Sequence, residues 1–196
     1  SADSGGDEMW RSEVSQGDMA MLRLPMSRFG NGSGSVRPED YQDLPGSTYN
    51  GIINTNRFVG DWAFYAMSRY ASPGNYQSRT SELVAVPVAG GEPILFNFDD
   101  GVERIEPLGR DALIVGGNTS VDFTTLILGG ARPQVGSSFT VPQASQSESR
   151  SHAFFYRQDS GDGATGLMGL PIMTQTPREG GGWSAGADML FLRRDN

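Results

Sequence analysis

Residues 82–117, ELVAVPVAGGEPILFNFDDGVERIEPLGRDALIVGG, decide the fold class. They hold three apolar runs: ELVAVPV (82–88), PILFNF (93–98) and ALIVGG (112–117). Each is short, rich in β-branched or aromatic residues, and fenced by Gly, Pro, Asp or Asn. None carries the 3.6-residue spacing of a helix face, so they predict strands. The same pattern extends outward in both directions. Upstream lie GDMAMLRLPM (17–26) and RFVGDWAFYAMS (57–68). Downstream lie VDFTTLILGG (121–130), VGSSFTVP (135–142), HAFFYRQ (152–158), GLMGLPIM (166–173) and DMLFLRR (188–194). The chain reads as all-β. FDDGVE places Asp100-Gly101 between two runs and predicts a hairpin there, because glycine accepts positive φ and Asp tolerates it. VGGNTSVDF and LGGARPQV predict two more, whereas residues 26–47, polar and Gly/Ser-rich, read as an extended loop.

The runs recur. Those starting at Glu82, Asp122 and Gly166 are 40 and 44 residues apart, those at Ala112 and His152 are 40 apart, and Met189 opens a similar run 37 further on. A period near 40 with about four strands per unit is the spacing of propeller blades. A β-sandwich is the alternative, although its strands need not recur evenly. The expected architecture is therefore a β-propeller of four-stranded antiparallel blades. Residues 1–56 form an N-terminal strand segment with a Gly/Ser-rich loop, and 57–196 form about three blades, the last incomplete. Covering by neighbouring blades on both faces accounts for runs as continuously apolar as ALIVGG.

Composition narrows the function. The 196 residues carry 23 acidic and 15 basic side chains, a formal charge of -8, and every basic residue is arginine. Without a basic patch, nucleic-acid binding has no means of neutralising phosphate. There is no cysteine, which removes disulfides, thiolate catalysis and Cys-ligated metals. No lysine exists to complete a phosphate-binding P-loop. No apolar stretch approaches the ~20 residues of a membrane helix. The start, SADSGGDEMW, lacks an initiator Met and suggests a piece of a longer protein.

The order of the runs resembles a bacterial family of secreted β-propeller domains distantly related to WD-repeat proteins. The similarity lies in RFVGDWAFYAM, SELVAVPVAGGEPIL, IEPLGRDALIVGGN and SESRSHAFFYRQDSGDGATGLMGLPIM, spanning about residues 54–173. In the last block Ser147, Glu148, His152, Ala153, Phe154, Leu170 and Pro171 occupy matching positions. The resemblance implies an exported scaffold, outside the cytoplasm, and carries over no catalytic residue.

Individual residues give few chemical leads. Asp159 and Asp162 in DSGDGATG are weak calcium candidates: Gly161 stands where an EF-hand loop needs a ligand and Leu170 where it needs a carboxylate. A turn of small residues is the plainer reading, with no cofactor. His152, the only histidine, has no base or nucleophile partner at a fixed spacing, and is read as a structural residue bonding the backbone or Glu148 at a blade corner. Asp99 and Asp100 are adjacent, so on a strand they face opposite ways and make no paired-carboxylate site. Trp183, among glycines in REGGGWSAG (178–186), can anchor a protein partner or a sugar, or pack between blades.

Two functions compete. A non-enzymatic binding or assembly scaffold would act through loops and blade edges, with Trp183, Met189 and Phe191 as partner-binding candidates. Its partner would be the remainder of the same protein or another chain completing the propeller. A propeller hydrolase or lyase would need Asp61, Asp99, Asp111 and Asp122 to converge on one pocket.

Overall fold

Fourteen strands follow one another in a computed structural model that describes residues 17–28, 35–47, 51–72, 75–148, 151–159, 161–177 and 181–195. Among these residues there is no α-helix, only three single-turn 3-10 segments. β1 (Gly17–Leu22) and β2 (Tyr41–Ser47) make an antiparallel pair. The first four-stranded sheet is a meander of β3 (Gly51–Val59), β4 (Trp62–Ser72), β5 (Asn75–Pro87) and β6 (Ile94–Phe98). The second repeats that order with β7 (Val102–Leu108), β8 (Asp111–Gly116), β9 (Ser120–Ile127) and β10 (Gln134–Pro142).

The third sheet departs from the meander. β13 (Gly166–Pro177) pairs with β14 (Trp183–Arg194) along its whole length. Its other edge is shared end to end by β12 (Phe155–Gln158), opposite Gly166–Gly169, and β11 (Ala144–Gln146), opposite Ile172–Thr174. Four strands therefore fill three positions.

The sheets stack face to face in chain order. Met19, Met21 and Leu44 of the N-terminal pair cover Tyr65, Met67, Val84 and Val86 on one face of the first sheet. Its opposite face packs Phe64, Leu83 and Ala85 against Ile105, Ala112, Ile114 and Leu126 of the second. The far face of the second, with Leu113, Val115 and Phe123, meets Met168, Leu170 and Ile172 of the third. Coverage on both sides explains β8, DALIVG, in which all six residues are buried. Tyr65 ties the pair to the first sheet, its hydroxyl donating to the Pro45 carbonyl at 2.7 Å, and burial pushes the phenol pKa up to about 12.

Several sequence expectations change. Asp100-Gly101 is no hairpin: β6 pairs with β5 and β7 with β8, so residues 99–101 link one sheet to the next. RFVGDWAFYAMS is two strands, turned at Gly60 with φ +56°. The expected loop at 26–47 contains β2, and the 56/57 division falls inside β3. Met189 lies on the last strand of its sheet, out of step with Ala112 on a second strand. Leu126, Ile114 and Val84 are buried, whereas Phe96 and Phe154 are half-buried at the core margin. Phe154→Ala should therefore cost about 1–2 kcal/mol, below the 3–5 kcal/mol of a fully enclosed Phe. Chemical denaturation measures it, and a loss above 3 kcal/mol would place the ring in the core.

Candidate functional site

The four carboxylates on which the enzymatic reading depended do not meet. Asp111 opens β8 and is 1% exposed, accepting from the Leu128 amide at 3.0 Å and from Arg194 Nη2. Asp122 sits opposite Gly116, at the far end of the same sheet, about 17 Å along the strand at 3.3 Å per residue. There it accepts from Ser120 Oγ at 2.6 Å and Thr140 Oγ1 at 2.5 Å. Asp99 is exposed in the link after β6, and Asp61 is exposed in the β3–β4 turn. Asp100, half-buried, has a raised pKa. Burial is the main cause, the charges of Asp122 and Asp99 add to it, and a 3.0 Å bond from Asn118 Nδ2 opposes it.

The two calcium candidates have local partners. Asp159 pairs with Arg193 Nη2 at 2.6 Å, and Asp162 accepts from the Ala164 amide at 3.1 Å, so ion pair and turn occupy these two carboxylates. Among the described residues no group of three or more His, Cys, Asp and Glu is placed to hold a metal. His152 is exposed in a 3-10 turn, Ser151–Ala153, rather than opening a strand; β12 starts only at Phe155. Glu148 contributes its carbonyl, which accepts from Arg104 Nη2 at 2.6 Å.

That bond belongs to a charged cluster the sequence did not reveal. Arg104, 2% exposed on edge strand β7, donates to Glu106 Oε1 at 2.9 Å and to Gln146 Oε1 at 3.0 Å. Arg57 of the first sheet reaches the other oxygen of Glu106 at 2.8 Å. Gln146 passes on to Glu103, which holds Arg79. All three sheets contribute, and each of these groups is paired, which suits a clamp rather than a reactive site.

Met189 and Phe191 come together with residues of other strands. Alternation along β14 turns Leu190 and Leu192 inward and leaves Met189 and Phe191 52% and 55% exposed. Phe155 of β12 lies beside Phe191, ring centroids 6.1 Å apart, and Met173, also exposed, stands on β13 opposite Ala187. The third sheet thus has one face in the core and an apolar outer face in solvent. No protein-family model, curated protein or solved structure matches the chain. Trp183, at the opposite end of β14, is 57% exposed, so it does not pack between sheets. It lines a groove of about 720 Å³ with Arg79, Asn118, Gln143 and Gln175.

Proposed function

We propose that the chain is a non-enzymatic binding and assembly scaffold, built as part of a β-propeller and acting outside the cytoplasm. The observation that carries this reading is the outer face of the third sheet. Phe155, Met173, Met189 and Phe191 are exposed on it, while the corresponding faces of the first two sheets are covered by the next sheet in line. A further β-sheet, from the same polypeptide or another protein, would continue the stack there. The stacking of antiparallel sheets in chain order and the resemblance to secreted propeller domains support it. No helix among the described residues is long and apolar enough to cross a membrane.

Exposed apolar area on this scale drives association at roughly 25 cal/mol per Å² buried. Sedimentation velocity of the 196-residue chain should therefore show concentration-dependent self-association. The double variant Met189→Glu, Phe191→Glu should sediment as a monomer with an unchanged β circular-dichroism spectrum. A wild-type chain that stays monodisperse and monomeric at all concentrations would overturn the reading.

A further inference from the structure

The groove holding Trp183 lies about 20 Å along β14 from Met189, at a position of the same strand parity, and differs from the apolar patch in chemistry. Its floor is the link between β10 and β11, where Gln143 has φ +53°, the only non-glycine residue in the left-handed region among the described residues. Two backbone bonds fix that conformation. The Gln143 amide donates to the Thr119 carbonyl at 3.1 Å, and its carbonyl accepts from the Gln175 amide at 2.9 Å. A glycine would adopt this geometry freely, whereas glutamine is strained there and places a side chain at the groove. The side chains of Gln143, Gln175, Ser145 and Thr119 are all exposed around the groove, and Trp183 stands beside them.

Charge does not dominate the site. Arg79 is neutralised by Glu103, and Asn118 is held by the Arg79 backbone and Asp100. What remains is an indole surface among side-chain amides and hydroxyls, each able to donate and accept. That combination matches a molecule with apolar C–H faces and a rim of hydroxyls. The volume, about 720 Å³, lies within the range of small-ligand sites. We propose that this groove binds a neutral oligosaccharide, one sugar ring stacking on Trp183 and its hydroxyls bonding Gln143, Gln175 and Ser145.

The test uses the full chain and a panel of neutral hexasaccharides (β-1,4-glucan, β-1,4-xylan and N-acetylglucosamine oligomers), with a decaproline peptide as comparison. Tryptophan fluorescence should change saturably with at least one saccharide. Trp183→Ala should weaken binding about tenfold or more, the scale of one well-placed aromatic contact. Gln175→Ala should weaken it several-fold, and Gln143→Gly should do the same while holding or raising the melting temperature. Trp183 and Gln175 are exposed, so their variants should fold. The Met189→Glu, Phe191→Glu variant should bind as the wild type does, which separates this site from the assembly face. No saccharide binding at millimolar concentration, binding indifferent to Trp183→Ala, or Trp183-dependent binding of decaproline alone would each overturn the proposal.

Discussion

Arg104→Met should destabilise the chain by about 3–5 kcal/mol, the usual result of removing one partner from a buried ion pair. The arginine is 2% exposed, and its guanidinium serves Glu106, Gln146 and the Glu148 carbonyl at once. Methionine fills similar space but leaves the buried Glu106 carboxylate without one of its donors, and an orphaned buried acceptor forfeits its full desolvation penalty. Glu106 keeps only Arg57, whose side chain is 37% exposed and so offers a weaker partner. The double variant Arg104→Met, Glu106→Leu should recover at least half of the loss, because apolar replacement of a whole buried pair is often neutral. Arg57, reaching solvent, tolerates release. Urea midpoints at constant m-value measure both. A single-variant loss under 1 kcal/mol would show that the cluster hydrates in place.

Gly163→Ala should cost about 3 kcal/mol or more, and the damage should be confined to the junction of the second and third sheets. Gly163 has φ +65° and faces Gly109, φ +64°, across that junction. A Cβ on Gly163 would lie 2.5 Å from the Gly109 Cα, and one on Gly109 would lie 2.1 Å from the Gly163 carbonyl. Both obstacles are backbone, so neither turns aside. The left-handed conformation adds about 1–2 kcal/mol for any L side chain. Arg194 closes the same junction, donating to the Leu108 carbonyl at 2.8 Å and pairing with Asp111. Hydrogen exchange should accelerate in β13 and β14 of the variant while β4 and β5 keep their protection. Gly161→Ala, two residues away with nothing within 4 Å of its added Cβ, should change stability by less than about 0.5 kcal/mol. Equal losses at the two positions would mean that the loop as a whole, and not the backbone contact, matters.

Strand positions were readable where one face or both are buried, because burial imprints itself on residue choice. ALIVGG is the plainest case, its continuous apolarity reflecting a sheet on either side. Pairing was less readable. Asp100-Gly101 marks a break between strands, but the dipeptide says nothing of which strand lies beside which, and β6 and β7 diverge into different sheets instead of forming the expected hairpin. His152 looked like a strand start because an aromatic run follows it. Its own residue adopts a 3-10 turn that lets β11 and β12 share one edge of β13. Of the three partner-binding candidates, Met189 and Phe191 share the apolar patch, whereas Trp183, of the same parity on β14, stands about 20 Å further along the strand. The charged clamp and the Arg194–Asp111 pair were hidden, since residues 83 positions apart leave no spacing to read.

Each four-stranded sheet is assembled from one uninterrupted stretch, residues 51–98, 102–142 and 144–194, and packs its apolar faces against its neighbours in chain order. During synthesis, then, a sheet can be completed soon after its last strand leaves the ribosome, and the newest sheet always finds its docking platform already built. Contacts of this kind close short loops first, which favours quick maturation over long searching. The surface left open at any moment is the outer face of the youngest sheet. In the chain described, that is the face bearing Phe155, Met173, Met189 and Phe191.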